Sequence, residues 1–330
     1  MPVTLSDARR LTQDKLAQVV IDEFRQDDLM NRMLFDDNAA YNGGSTLNYV
    51  YNRVDHMRSA GFREINTEYV AEEATTKLVT VTLKPFGGTY GIDRVIADHV
   101  HGVTNQIVFQ QQQLVQATIA TFSDTFVNGD IAVDAKAFDG LDKAITGSTT
   151  DLALPAIDLS TSAAIDTNWK AFMDGLRRLA ARLDGSTTFI LVNREMYSVF
   201  QSIADRATSF TMVKSEFGME TLAWNSIPIV RLGDKPGSSS PIITTDETTG
   251  TTCLYLVRIG LDGVHAVSPL GGRIIRTWLP DYTNVDAVQL GGTEMVAAMA
   301  LKATRSAGKL SGIKINPAPP TDPDEDPTGS

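Results

Sequence analysis

The segment that most restricts the fold is a long polar excursion over residues 46–85. Apolar residues recur there mostly at every second position, which predicts two or three β-strands near residues 49–54, 62–69 and 78–83. Between the last two, residues 70–77 are polar and predict a turn. Two strands alone are marginally stable in water, and these contain too few large apolar residues for a core of their own. The excursion therefore needs a support, and a second copy of the chain is one candidate.

The composition of the whole chain is that of a globular protein. Its 330 residues are 42% hydrophobic and 21% charged, with a net charge of −11. An acidic surface repels phosphate, so sequence-specific reading of nucleic acid is not expected. The first ten residues lack the apolar run of a signal peptide and no apolar window is long enough for a bilayer, so we expect no membrane association and synthesis in the cytoplasm.

The order of predicted elements is unusual. An amphipathic helix over 6–34 precedes the excursion, and a second helical pattern over 98–127 follows it. About thirty helical residues span roughly 45 Å, which is longer than a compact domain of this size needs. Alternating strands and helices then predict a mixed α/β region over 151–280. Its predicted elements, together with two later strands, lie at 169–183, 187–193, 194–206, 227–230, 252–259, 264–267, 284–289 and 295–302.

No constellation of residues predicts an active site. His99 and His101 are two residues apart, so on a helix they point in different directions, and we favour exposed histidines over a metal site. Cys253 and His265 each lie in a predicted strand, where a buried cysteine and a satisfied structural histidine are expected. Asp262 and Gly263 are typical of a hairpin turn. The glycine pairs at 87–88, 271–272 and 291–292 favour bends, so we expect no enzyme, cofactor or metal.

The sequence resembles the major capsid proteins of tailed bacteriophages, which have the Hong Kong 97-type fold that encapsulins share. The order of the parts carries this resemblance, which extends over about residues 29–315. Four short matches support it: Phe138-Asp139-Gly140-Leu141 after the long helix, 188–193 before a helix, 224–230, and Ser311-Gly312-Ile313.

The resemblance implies an α+β fold with an N-terminal arm, an extended E-loop hairpin, a peripheral domain with a long spine helix, and a mixed α/β axial domain. On this basis the arm is 1–40 and the E-loop with its flanking strands 41–94. The peripheral domain is 95–150 with 281–315, the axial domain 151–280, and 316–330 an acidic disordered tail.

The same resemblance predicts that the E-loop lies across a neighbouring subunit. Acidic and basic residues are equal in number over 41–94, within an otherwise acidic chain. The expected interface residues are Arg53, Arg58, Arg63, Glu64, Glu68, Glu72, Glu73 and Lys77. Lys77 or Lys84 could occupy the position at which some members form covalent crosslinks, but no partner residue is recognisable, and we expect none. The short arm leaves a separate scaffold open, and decoration proteins remain open too.

The predicted function is a major capsid protein of the virion. It would self-assemble into pentamers and hexamers of an icosahedral phage head that encloses double-stranded DNA and contacts it non-specifically. The first alternative is an encapsulin-like shell that holds an enzyme cargo. The second is a soluble α/β enzyme, which would require convergent polar residues in a pocket of the mixed domain.

Overall fold

The structure is a computed structural model that describes residues 28–36, 47–56, 58–69, 73–93, 103–214, 220–238, 240–269, 274–281 and 286–316. The helices are α1 (Asp28–Arg32), α2 (Val103–Asn128), α3 (Leu141–Ile145), α4 (Ser162–Arg182) and α5 (Arg194–Ala204). The strands are β1 (Phe35–Asp36), β2 (Asn48–His56), β3 (Thr75–Thr82), β4 (Lys84–Asp93), β5 (Asp151–Asp158), β6 (Phe189–Val192), β7 (Phe210–Lys214), β8 (Glu220–Trp224), β9 (Ile227–Arg231), β10 (Thr251–Val257), β11 (Val264–Val267), β12 (Ile275–Trp278), β13 (Val288–Leu301) and β14 (Ala307–Lys314).

The first sheet is mixed and has the strand order β5-β14-β10-β6-β9-β8-β7. Its central strand β6 is apolar and buried at every position, because the sheet is covered on both faces there. Helices α4 and α5 pack on one face and enclose a core that contains Phe172 and Phe200. The other face contributes Phe189 and Leu191 to a second core, so this sheet separates the two cores.

Polar caps fix where the two helices of this region begin. The Thr161 side chain accepts a hydrogen bond from the Ala164 amide, and the Asn193 side chain accepts one from Met196 at 2.7 Å. Asn193 also donates to the Ile243 carbonyl and to Thr252 Oγ1. The helix predicted over 169–183 thus begins earlier, at Ser162, whereas the helix predicted from residue 194 is confirmed.

The second sheet has the order β1-β11-β13-β12, and β4 also pairs with β13. Helix α2 packs on its inner face through Val115, Phe122 and Phe126, so the long helix predicted at 98–127 is confirmed from Val103 onward. The Phe138-Asp139-Gly140-Leu141 element closes the end of this helix. A Cβ at Gly140 would lie 2.6 Å from the Thr125 carbonyl oxygen, so only glycine fits there.

Two pairs of glycines predicted as bends lie instead inside paired strands. Gly291 is opposite Tyr90 and Glu294 is opposite Gly87, in a continuous antiparallel ladder of β4 and β13. At Gly87 an added Cβ would lie 2.0 Å from the Thr293 carbonyl oxygen, so the absence of a side chain permits the close pairing. The strands predicted at 284–289 and 295–302 are therefore joined in β13, and the pair 271–272 lies outside the described residues.

The chain passes from the first sheet to the second after β10 and returns to the first sheet after β13. Strands β11 and β12 belong to the second sheet, whereas β14 returns to the first and pairs with β5 and β10. Asp262 and Gly263 accordingly connect two sheets, and the hairpin predicted there is wrong. Helix α1 ends at Arg32, within the helix predicted over 6–34, and residues 1–27 lie outside the described residues.

Candidate assembly interface

Strands β2 and β3 form an antiparallel hairpin in which Tyr51 is opposite Val79. The predicted strands at 49–54 and 78–83 are confirmed, but β3 already begins at Thr75, inside the predicted turn. We call Tyr49, Tyr51 and Arg53 the hairpin root. The Tyr51 hydroxyl donates to the Leu301 carbonyl at 2.8 Å, and the Arg53 guanidinium donates to the carbonyls of Leu301 and Lys302 at 2.8 and 3.0 Å. The root is thereby fastened to the end of β13.

Tyr49 of the root also belongs to a buried polar cluster with Asp36 and His265. The Tyr49 hydroxyl donates to Asp36 Oδ2 at 2.9 Å, and burial, reinforced by this hydrogen bond, raises the pKa of Tyr49. His265 is fully buried beside them, with its ring 5.8 Å from the Tyr49 ring. Neither of its ring nitrogens makes a well-formed hydrogen bond within the described residues. The backbone groups of Gly260 and Gly263 interact with the ring only weakly, so the predicted histidine is only partly satisfied.

The hairpin tip, residues 58–69, is irregular, and the strand predicted at 62–69 is wrong. Arg63 Nη1 donates to the Thr67 carbonyl at 3.1 Å, while the guanidinium lies 5.2 Å from the centre of the Tyr69 ring. The Thr67 hydroxyl donates to the Glu64 carbonyl at 2.9 Å, and Asn66 has a φ of 71°, which asparagine tolerates better than most residues. These local contacts bend the chain into a compact turn.

This turn presents large apolar side chains to solvent. Phe62 is fully exposed, Ile65 is 90% exposed and Tyr69 is 66% exposed; we call these three residues the tip cluster. Val54 and Leu78 are also exposed and lie on one face of the hairpin, since Leu78 is opposite Asn52, two residues from Val54. Apolar side chains concentrated on one projecting element are typical of a contact surface.

A second apolar surface lies on the second sheet, on the face turned away from α2. Trp278, Val288 and Leu290 are each about half exposed or more, and we call them the outer sheet patch. Trp278 is opposite Gly292, two residues from Leu290 on the same face. Two opposite charges lie next to it, because Arg276 is opposite Glu294 in the pairing of β12 with β13. The patch is therefore apolar with charges at its edge.

The tip cluster and the outer sheet patch lie at opposite ends of one extended ribbon. Only Leu83 separates β3 from β4, and Lys84 is opposite Ala297 in β13. Along β13, Leu290 is opposite Gly91, Ala297 lies further along, and the root contacts follow at Leu301 and Lys302. Strand β3 therefore extends in the direction opposite to Leu290. At about 3.3 Å per residue, the ribbon from Thr75 to Gly91 is roughly 50 Å long. The two surfaces of one subunit therefore do not meet.

The predicted interface charges have several different environments. Arg53 donates to the Leu301 carbonyl within its own subunit, and Arg63 donates to the Thr67 carbonyl within the tip. Arg58, Glu64, Glu68, Glu73 and Lys77 are exposed, and among the described residues none of them forms a salt bridge. Glu72 lies outside the described residues. None of the predicted interface residues belongs to the tip cluster, although Phe62, Ile65 and Tyr69 are close together in an otherwise polar segment.

A second cluster of ionisable side chains connects two elements of the fold. Tyr255 donates to Asp142 Oδ1 at 2.9 Å, and Lys309 also pairs with Asp142, which ties α3 to the first sheet. Burial raises the pKa of the Cys253 thiol, whose sulfur lies 3.6 Å from the Tyr255 hydroxyl, so it is a poor nucleophile. The described residues contain no cluster of three or more metal-ligating side chains, while His99 and His101 lie outside them. Among the helices that the structure describes, none is long and apolar enough to cross a membrane.

Comparison with solved structures identifies the fold. No family model matches the sequence, and no curated protein sequence matches it. The holo-SrpI encapsulin complex from Synechococcus elongatus PCC 7942 is similar with a TM-score of 0.56 and 13% identity, over 89% of this chain and 90% of that one. The capsid of Myoviridae phage XM1 is similar with a TM-score of 0.51 and 10% identity, over 86% and 91%. The chain therefore has the Hong Kong 97-type α+β fold of shell proteins, and the predicted fold class is confirmed.

Proposed function

We propose that the chain is a major capsid protein that assembles into pentamers and hexamers of an icosahedral phage head. The observation that carries this proposal is the tip cluster, which a single subunit leaves in water at the end of an anchored hairpin. The comparisons support a shell protein, and phage capsids are among the similar structures. The chain would be made in the host cytoplasm and reside in the virion.

The tip cluster would dock on the outer sheet patch of a neighbouring copy. Because these are two different surfaces on each subunit, the contact is heterologous, and repeating it around an axis closes a ring. Burying each large apolar side chain contributes about 1.5–3 kcal/mol before the costs of ordering. Three such side chains, repeated at every subunit of a ring, supply a substantial driving force for assembly.

The predicted interface charges would surround this apolar contact. Arg58, Glu64, Glu68, Glu73 and Lys77 are exposed near the tip or along the hairpin, where they could pair with charges such as Arg276 and Glu294. Exposed ion pairs contribute about 0–1 kcal/mol each, so they would select the register of the contact rather than drive it. The net charge of −11 suits a wall that confines DNA without binding its sequence.

The domain division follows from the same proposal. Residues 95–150 and 281–315 would form the peripheral domain around α2, and 151–280 the axial domain at the ring centres. Three strands would then link the two domains, because β11 and β12 of 151–280 pair with β13 of the second sheet, whereas β14 of 281–315 pairs with β5 and β10 of the first.

Electron microscopy of the purified full chain tests the proposal. Pentameric and hexameric rings or closed shells are expected, with a candidate scaffold added if the chain alone stays dispersed. A chain that remains monomeric or dimeric under both conditions would remove the capsid assignment and favour the soluble enzyme.

The contents of native particles distinguish a phage head from an encapsulin-like compartment. A phage head is expected to protect double-stranded DNA from added nuclease. Particles that contain a protein cargo and no protected DNA would instead favour the encapsulin-like shell.

A further inference from the structure

Asp36, Tyr49 and His265 form a buried polar cluster where the hairpin root meets the second sheet. Apolar side chains could fill this position, so the polar groups invite a functional explanation. His265 is fully buried in β11, its Nε2 atom is 3.9 Å from Asp36 Oδ2, and the Tyr49 hydroxyl occupies the same carboxylate oxygen at 2.9 Å. Asp36 lies in β1 beside β11, and Tyr49 lies in β2 of the hairpin. Three separate elements thus contribute one side chain each to the junction where the hairpin meets the subunit.

We infer that Asp36, Tyr49 and His265 form an acid-sensitive latch, which holds the hairpin root closed at neutral pH and releases it on acidification. The inference concerns the single subunit and does not depend on the proposed capsid function. It rests on the full burial of an imidazole that makes no well-formed hydrogen bond among the described residues, next to a carboxylate that already accepts a hydrogen bond from Tyr49.

The charges around His265 disfavour a second cation at this position. The Lys302 ammonium lies 5.3 Å from the centre of the Tyr49 ring, and the Arg53 guanidinium is bonded to the Lys302 carbonyl. Tyr51, the remaining titratable group of the root, is a neutral phenol. Asp262 also attracts Lys302, but its carboxylate is bonded to Arg258 Nη1 at 2.7 Å. Asp36 is therefore the acid that faces a protonated His265 directly.

The direction of the response follows from proton binding. Burial lowers the pKa of His265 below its usual 6.5 and Lys302 lowers it further, while Asp36 and the backbone of Gly260 and Gly263 only partly oppose them. The closed root therefore binds a proton more weakly than an opened root, in which the imidazole is hydrated. Stability of the closed root is fully present above pH 6.5 and decreases as the pH falls below it, by up to about tenfold in the opening constant per pH unit.

Opening would release the hairpin rather than unfold the subunit. The root is held by the hydrogen bonds of Tyr51 and Arg53 to carbonyls at the end of β13, whereas the core under α4 and α5 lies in the other sheet. Hydrogen exchange of β2 should therefore respond to acid while β10 in the first sheet does not.

The test is hydrogen–deuterium exchange of the unassembled full chain, compared between about pH 7.5 and about pH 5 after correction for intrinsic exchange. The opening constant of the β2 segment is expected to rise by at least about threefold, with β10 unchanged. His265→Phe should abolish the rise, and the control His56→Gln, at the histidine that ends β2, should retain it. No rise in the wild type, or the same rise in His265→Phe, overturns the latch.

Two further variants test the latch even if His265→Phe does not fold. Asp36→Asn removes the charge that favours protonated His265, so the ratio of acidic to neutral opening constants should increase. Tyr49→Phe frees Asp36 to accept from protonated His265, so the same ratio should decrease. The reverse order of these two ratios overturns the inference.

Discussion

Phenylalanine side chains are buried in the core under α5 but exposed to solvent at the hairpin tip. Phe200 is fully buried, with its ring 5.5 Å from Phe172 and 6.0 Å from Phe210, whereas Phe62 is fully exposed. The free energy of removing either ring from water is of similar size, but one is gained when the chain folds and the other only when a second surface covers it. Core residues therefore determine subunit stability, and tip residues determine association.

The largest effect is expected in the core. Phe200→Ala leaves a cavity beside Phe172 and Phe210 and should lower the free energy of unfolding by about 3–5 kcal/mol. Denaturant unfolding of the unassembled subunit measures this loss. A loss below about 1 kcal/mol would contradict the claim that buried core residues such as Phe200 determine the stability of the subunit.

The tip should show the opposite behaviour. Phe62→Ala is expected to change the free energy of unfolding by less than about 0.5 kcal/mol, because the ring is already in water. Assembly should nonetheless require about ten to a hundred times more protein, which corresponds to losing roughly 1.5–3 kcal/mol of burial at each contact. Light scattering across a concentration series measures this threshold, with Val133→Ala, at an exposed apolar residue outside the hairpin, as the control. Unaltered assembly of Phe62→Ala would contradict the role of the tip cluster.

The smallest effect is expected from the hairpin charges. Lys77→Ala should alter subunit stability by less than about 0.5 kcal/mol and shift the assembly threshold less than about fivefold, because an exposed ion pair contributes about 0–1 kcal/mol. The shift should also shrink as salt is added. Complete loss of assembly in Lys77→Ala at all salt concentrations would show that charge, not apolar burial, dominates the contact.

Local sequence patterns predicted the regular elements well. The long helix, the apolar strand β6 and the helix that Asn193 caps all have signals within a few residues of themselves. The hairpin strands were also predicted, because alternation extends over both of them. The need for outside support was inferred from the shortage of apolar residues in the excursion, and the exposed tip is consistent with it.

Features that depend on distant partners could not be predicted. Glycines in β4 and β13 favour bends when taken alone, yet the ladder that pairs Gly291 with Tyr90 makes them parts of strands. Ile65, Thr67 and Tyr69 match an alternating pattern, but contacts of Arg63 and the positive φ of Asn66 turn the chain instead. The charged residues were selected because they are conspicuous in the sequence, and burial, which separates them from the tip cluster, is known only from the fold.

The head-to-tail contact is tested most directly by crosslinking two different variants. Ile65→Cys protein is mixed with Leu290→Cys protein under assembly conditions and oxidised; the native thiol of Cys253 competes weakly, because burial raises its pKa. Docking of the tip cluster on the outer sheet patch predicts a disulfide-linked dimer with one chain of each variant. Met212→Cys, on the exposed edge strand of the first sheet, replaces Leu290→Cys in the control mixture and should give little product. Equal crosslinking in both mixtures, or none with Leu290→Cys in assembled shells, would contradict the contact.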